Sequence, residues 1–299
     1  MTSKVFFTER SGCTDVGHQH AVPHTQPVVQ PRSVPTSRIS GSEGRSYRHG
    51  TALRTTLTIM RALTAALALT LTVLVPCSVM AQTAAEPRYE TRAIHDPDGT
   101  GTFYMGREIA QVMGPGGMDW LDRAQRDTEE HPAQVLNALQ LHSGEVVADL
   151  GAGSGYFTFR MAPRVGNTGK VLAVDVQPEM LQTLRKRASA QKITNVQVIQ
   201  ASETDPHLPK DAVDLVLLVD VYHELAHPYE VMQAVRDALK PDGCVVFVEY
   251  RKEDPNVPIK ELHKMSVAQL DKEMAAVGLT PVRTIETLPQ QHILIFAKR

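Results

Sequence analysis

The chain has 299 residues, enough for one or two domains, and 42% of them are hydrophobic, an ordinary share for a soluble protein with a real core. Its formal charge of −2 is unevenly spread: residues 1–59 carry seven Lys/Arg against three Asp/Glu, leaving 24 against 30 for the remainder. The folded part is therefore mildly acidic, which excludes the basic surface excess of a dedicated nucleic-acid binder.

Residues 1–59 are rich in Ser, Thr, Pro, Arg and His and have no hydrophobic period, so they are expected to be disordered, or to be an upstream extension that translation from Met60 would omit. Met60-Arg61, the uncharged run Ala62 to Val75, Pro76 and Val79-Met80-Ala81 follow the plan of a secretory signal peptide, here residues 60–81. The apolar middle is shorter than the roughly 20 residues a bilayer span needs. A periplasmic or secreted protein without stable membrane insertion is the expectation, and a cytoplasmic one if the segment is not used. Cys13 and Cys77 precede the mature chain and Cys244 sits in an apolar run, so no internal disulfide is expected.

Segment 82–141 opens on a turn cluster, Ile94 to Gly101. As a calcium loop counted from Asp96 it would place Thr100 fifth and Arg107 twelfth, where an oxygen ligand and a Glu are needed, so it reads as a plain turn. Gly106–Met113, Met118–Arg126 and Glu130–Leu141 carry short helical patterns broken at Gly114 to Gly117 and around Thr128, predicting an N-terminal helical cap. From residue 142 to 299 strands and helices alternate, predicting an α/β domain with a seven-stranded, mostly parallel sheet and helices on both faces. The strands are Val146–Leu150, Val171–Asp175, Val196–Gln200, Val213–Val219, Cys244–Tyr250, Val282–Thr287 and Ile293–Ala297. The helices are Tyr156–Ala162, Pro178–Ser189, Tyr229–Leu239 and Val267–Val277, the last behind a Ser266-x-x-Gln269 capping box.

The first strand runs into Gly151-Ala-Gly-Ser-Gly155 and then a helix, a bare turn that lays backbone N–H groups against a polar ligand. A dinucleotide fingerprint needs Gly-x-Gly-x-x-Gly, yet residue 156 is Tyr; a short-chain reductase needs Tyr-x-x-x-Lys, and no tyrosine has Lys four residues on. Nicotinamide chemistry is set aside. Asp149 before the glycines, Asp175 ending the next strand, the run Val213 to Asp220, and Leu239-Lys-Pro-Asp-Gly243 leading into a strand resemble, in that order, the class I S-adenosylmethionine-dependent methyltransferases. The resemblance covers roughly Glu145 to Arg299. Phe103 to Ala110 through Trp120-Leu-Asp122 is similar to a secreted bacterial subgroup of unassigned substrate.

That resemblance implies a Rossmann-like fold, S-adenosylmethionine as cofactor, and methyl transfer to a small-molecule acceptor. It also implies that Asp175 accepts the ribose hydroxyls, and that Gly151, Gly153 and Gly155 lie along the donor's amino-acid tail with Asp149 holding the loop or a water. Ser202 and Glu203 become the adenine contacts, because the usual Asp ahead of Leu208-Pro209 is displaced, and Asp220 is a further donor contact. A donor-binding protein without catalysis is the alternative. His223-Glu224-x-x-His227 after strand four matches the zinc-hydrolase pattern, but Pro228 biases His227 away from the helix that pattern needs and no strong third ligand follows, so no metal is expected. His223 and Glu224 are instead the candidate bases for the acceptor's proton. Tyr104, Arg107 and Glu108 are expected on a helix surface of the cap, the alternative being that they close the site from it, and the loop from Glu249 through Lys264 is expected beside the acceptor pocket.

Overall fold

The computed structural model describes residues 87–298. The extension 1–59 and the signal-like segment 60–81 lie outside those residues. The described chain opens on an antiparallel sheet of β1 (Tyr89–Thr91), β2 (Gly99–Tyr104) and β3 (Arg107–Ala110), which corrects the helix expected over Gly106–Met113. Met105 and Gly106 join β2 to β3 with φ of 49° and 93°, the double positive φ of a two-residue hairpin turn whose twist suits the strands on either side. Gly106 is thus a turn residue rather than a helix start.

The short helices α1 (Met118–Leu121), α2 (Arg126–Glu129) and α3 (Pro132–Ala138) follow. The single helix expected over Met118–Arg126 is interrupted at Asp122, and α3 starts at Pro132 because His131 is left-handed, φ 52°, and proline suits the first helical position. The predicted helical cap is therefore half sheet and half short helices.

The main sheet takes up β4 (Val146–Leu150), β5 (Lys170–Asp175), β6 (Val196–Gln200), β7 (Val213–Val219), β8 (Leu239–Arg251), a two-residue β9 (Lys264–Met265), β10 (Leu279–Ile285) and β11 (Gln291–Lys298). Their spatial order is β10-β11-β8-β7-β4-β5-β6, with β9 beside β8; β4 to β8 pair in parallel and β11 alone runs against its neighbours. All seven predicted strands are present. β8 begins at Leu239, earlier than expected, because the Lys240 to Gly243 turn stays paired through a bulge beside β7. Helices α4 (Thr158–Val165), α5 (Pro178–Ala190), α6 (Pro228–Ala238) and α7 (Val267–Ala276) fall where the periodicity places them, and the Ser266 hydroxyl accepts from the Gln269 N–H as the capping box requires.

Alternation along the strands builds a core on each face. Leu150, Val174, Leu218 and Phe247 bury against α6 and α7 through Met232, Val235, Leu270 and Met274, while Val147, Leu217 and Val246 bury against α3 and α4 through Val135, Met161 and Val165. Each such side chain contributes roughly 1.5–3 kcal/mol on burial. Cys244 in β8 is buried, and the other two cysteines lie outside the described residues.

The chain steps outward from β4 to β6 and returns to β7 on the other side of β4. The carboxyl ends of β4 and β7 therefore diverge, and a crevice opens between them.

Candidate functional site

A cavity of about 520 Å³ occupies that crevice, a size that suits a cofactor-sized ligand. Gly151 and Gly153 line one wall. At Gly151, φ is +74° and an added Cβ would stand 2.5 Å from the Val221 side chain, so the turn needs glycine on both counts. Gly151→Ala is expected to cost at least the roughly 1–2 kcal/mol of a left-handed alanine, with weaker donor binding; chemical denaturation alongside a donor titration checks it. Gly155 does not line the cavity, and its bare Cα lets the Phe159 ring and Leu184 of α5 pack close.

Asp175 ends β5, is 6% exposed and faces the cavity. Its Oδ2 accepts the Gly153 N–H at 2.9 Å and its Oδ1 accepts the Gln177 N–H at 2.9 Å, so the carboxylate ties the glycine loop to the next helix. Burial pushes this carboxyl up, against the pull of the Gln177, Gly153 and Val176 amides. Asp149 sits where a residue that holds the loop would sit, and does not line the main cavity. It lies behind the loop, off the cavity, where it accepts the Thr158 hydroxyl at 2.5 Å and so anchors the start of α4. Burial pushes it up to about 6, with the Thr158 hydrogen bonds opposing.

Asp220 has φ +53°, an unusual setting for a residue other than glycine, and it lines the cavity. Its Oδ2 accepts from Gln291 at 2.7 Å, whereas Oδ1 is buried without any hydrogen-bond partner. Burial, followed by the Glu130 and Glu249 charges, pushes this carboxyl well above the usual carboxylate range. Ser202 and Glu203 reach the far rim. The Ser202 hydroxyl accepts the Asp205 N–H at 3.0 Å, and the Glu203 side chain is 75% exposed with His227 3.9 Å away.

His223 and Glu224 occupy a 3-10 turn, Tyr222–Glu224, beyond β7. His223 is buried; its Nδ1 lies 2.6 Å from Glu249 Oε2, and its Nε2 lies 3.1 Å from His263 Nδ1. Burial pushes His223 down, but the Glu249 carboxylate beside it turns the net direction upward. Glu224 Oε1 approaches His263 Nδ1 at 3.4 Å and its Oε2 accepts the Met113 N–H at 3.2 Å. His227 takes no part: with φ −130° it caps α6 and turns to the Tyr89 ring, centroids 5.6 Å apart. The zinc-hydrolase pairing of His223 with His227 is therefore not formed.

Arg107 proves to be structural rather than a surface residue of the cap. It forks onto Glu273 at 3.0 and 3.1 Å and donates to the His223 carbonyl at 3.1 Å, while Tyr222 and Gln269 also donate to Glu273, both at 2.6 Å. Tyr104 is buried, and Glu108 accepts from the Gly101 N–H of β2 and the Asp96 N–H of the connection before it. The loop after β8 borders the cavity as expected, through Ile259, Lys260 and His263. Glu249 and His263 entered the sequence reading only as the ends of a loop beside the acceptor pocket, and Glu273, which braces the Tyr222–Glu224 turn through Arg107, did not enter it. The signal for Glu249 was a lone carboxylate ending the apolar run Cys244 to Val248, a placement that demands a partner.

A family model described as "Methyltransferase domain" matches residues 141–292. Curated relatives include the ubiquinone/menaquinone biosynthesis C-methyltransferase UbiE of Coxiella burnetii, 30% identical over 119 residues that make up 40% of this chain and 48% of that protein. An uncharacterized methyltransferase-like protein of Schizosaccharomyces pombe is 34% identical over 131 residues, 44% of this chain and 48% of that one. The chain thus spans about half the length of the curated relatives it matches. Among solved structures, a SAM dependent methyltransferase from Aquifex aeolicus superposes with a TM-score of 0.59 at 24% identity, covering 63% of this chain and all of that one, a likeness of fold. With just over half its length matched by that family model, the chain belongs to the methyltransferase-domain family.

Proposed function

We propose that the protein binds S-adenosylmethionine in the crevice and transfers its methyl group to a small, largely apolar acceptor. The observation that carries this reading is that one cavity brings Gly151, Gly153, Asp175 and Asp220 to its donor side and the His223, Glu224 and His263 cluster to another wall. When bound, the donor supplies an electrophilic methyl on a sulfonium, along with an ammonium, a carboxylate and a ribose diol to be held. The residues present fit those groups. The buried, unpartnered Oδ1 of Asp220 suits the ammonium, the free lone pairs of Asp175 suit the diol, and the wall of carboxylates opposes the donor's positive charge.

Val112, Trp120, Leu121 and Ile259 line the remaining space and give it an apolar character, and Trp120 is half exposed at the rim. A flat, mostly apolar acceptor suits such a wall, in keeping with the C-methyltransferase name of the Coxiella relative. Where the reacting atom or a conjugated hydroxyl must lose a proton, His223 with Glu249 behind it, or Glu224, receives that proton. Incubation with methyl-labelled donor and a panel of phenolic and enolic acceptors tests the proposal. Acceptor-dependent release of S-adenosylhomocysteine is expected, and donor binding without turnover on any acceptor would favour the non-catalytic alternative.

Asp175→Ala is expected to weaken donor binding by about 1–3 kcal/mol, because it removes charge-assisted hydrogen bonds. Calorimetry showing parental affinity in that variant would contradict the assignment.

A further inference from the structure

We propose that His223, Glu224 and His263 form a binding site for one divalent transition-metal ion of the zinc class, with its open side toward the cavity. The proposal deepens the reading above, with the ion in place of His223 as the group that favours the acceptor's deprotonated form, and it rests on that wall of the cavity facing the acceptor. Three observations carry it. The first is spacing. His223 Nε2 and His263 Nδ1 are 3.1 Å apart, and Glu224 Oε1 lies 3.8 Å from the former and 3.4 Å from the latter. The point equidistant from three atoms so placed is about 2.0 Å from each, which is the length of a zinc bond to imidazole nitrogen or carboxylate oxygen.

The second observation is the support behind the ligands. Glu249 is fully buried, sets Oε2 2.6 Å from His223 Nδ1, and accepts the Tyr222 N–H on its other oxygen at 2.9 Å. A carboxylate so fixed keeps the His223 proton on Nδ1 and presents the Nε2 lone pair to the cluster, the outer-shell arrangement that orients metal-bound histidines. Glu224 is likewise held, by the Met113 N–H on its Oε2.

The third is the donor set. Two imidazoles and one carboxylate suit Zn²⁺ or Fe²⁺, whereas Mg²⁺ and Ca²⁺ take oxygen ligands. The ligands come from two separate 3-10 turns, Tyr222–Glu224 and Glu261–His263, both lining the cavity. No helical i, i+4 pair is needed, and His227 has no place in the site. An ion there keeps a coordination position open for an acceptor oxygen or sulfur and favours its deprotonated form.

The test uses the full chain, stripped with a chelator and titrated with Zn²⁺ in the absence of donor and acceptor. Metal content is then measured on the wild type, His263→Ala and Glu249→Gln. His263→Ala is expected to bind one equivalent fewer than wild type, with circular dichroism and S-adenosylmethionine affinity unchanged. Glu249→Gln is expected to keep the site but bind roughly 10–100-fold more weakly. Co²⁺ in place of Zn²⁺ should give the intense visible bands of a tetrahedral site in the wild type and not in His263→Ala. Equal metal content in wild type and His263→Ala, or no cobalt spectrum, would overturn the proposal and leave the two histidines as a hydrogen-bonded pair. Because no donor enters the titration, failure of the donor reading would show only in the donor affinity and could not be mistaken for failure of the metal site.

Discussion

Arg107→Ala is expected to be the most destabilising single change in the described chain, at about 3–5 kcal/mol, because it leaves the Glu273 carboxylate buried without its counter-ion. Burial disfavours the charge on Arg107, yet Glu273 holds it charged, and the two side chains are 7% and 0% exposed. The same change removes the donor on the His223 carbonyl, so the Tyr222–Glu224 turn should loosen as well. A fall of roughly 6–20 °C in the melting temperature follows from the size of the domain. Arg107→Lys should recover only part of it, since an ammonium cannot reproduce the two-pronged contact. A loss below about 1 kcal/mol in chemical denaturation would show that the pair is not the anchor described.

His223→Ala is expected to lower turnover by roughly 10²–10⁴-fold with donor affinity nearly unchanged, because the side chain faces the acceptor side of the cavity and touches none of Gly151, Gly153 or Asp175. Both roles assigned to it, base or metal ligand, lead to that outcome. A purely structural role would instead weaken donor and acceptor binding together; thermal stability falls in every case, since Glu249 loses a partner in the core. Measuring kcat and donor affinity on His223→Ala and on the closer mimic His223→Gln separates the cases. An unchanged kcat would remove His223 from the chemistry.

The sheet was legible because it is buried on both faces. Apolar runs such as Val213–Val219 and Cys244–Tyr250 can only be inner strands, and the glycines after β4 mark where the chain must turn tightly. The N-terminal segment was not legible in the same way. Its strands are short, its hairpin turns on a Met-Gly pair, and a single residue, His131, sets where α3 begins. Within the site, Asp175 and Asp220 were found from their places at strand ends. Asp149 has the same sequence signature, but its side chain points away from the crevice toward Thr158, and a motif does not encode that direction. Glu249 and His263 stand 14 residues apart in the chain and meet only through His223, so spacing alone could not pair them. The zinc-hydrolase pattern contains two members of the cluster, His223 and Glu224, and pairs them with His227 where the structure places His263 beside them.

Whether the crevice holds S-adenosylmethionine through Asp175 and Asp220 is decided by calorimetric titration of the donor into the wild type, Asp175→Ala and Asp220→Ala. The wild type is expected to bind one equivalent, displaced by S-adenosylhomocysteine, and each variant to bind at least about fivefold more weakly. No binding by a folded wild type, or the same affinity in all three proteins, would contradict it.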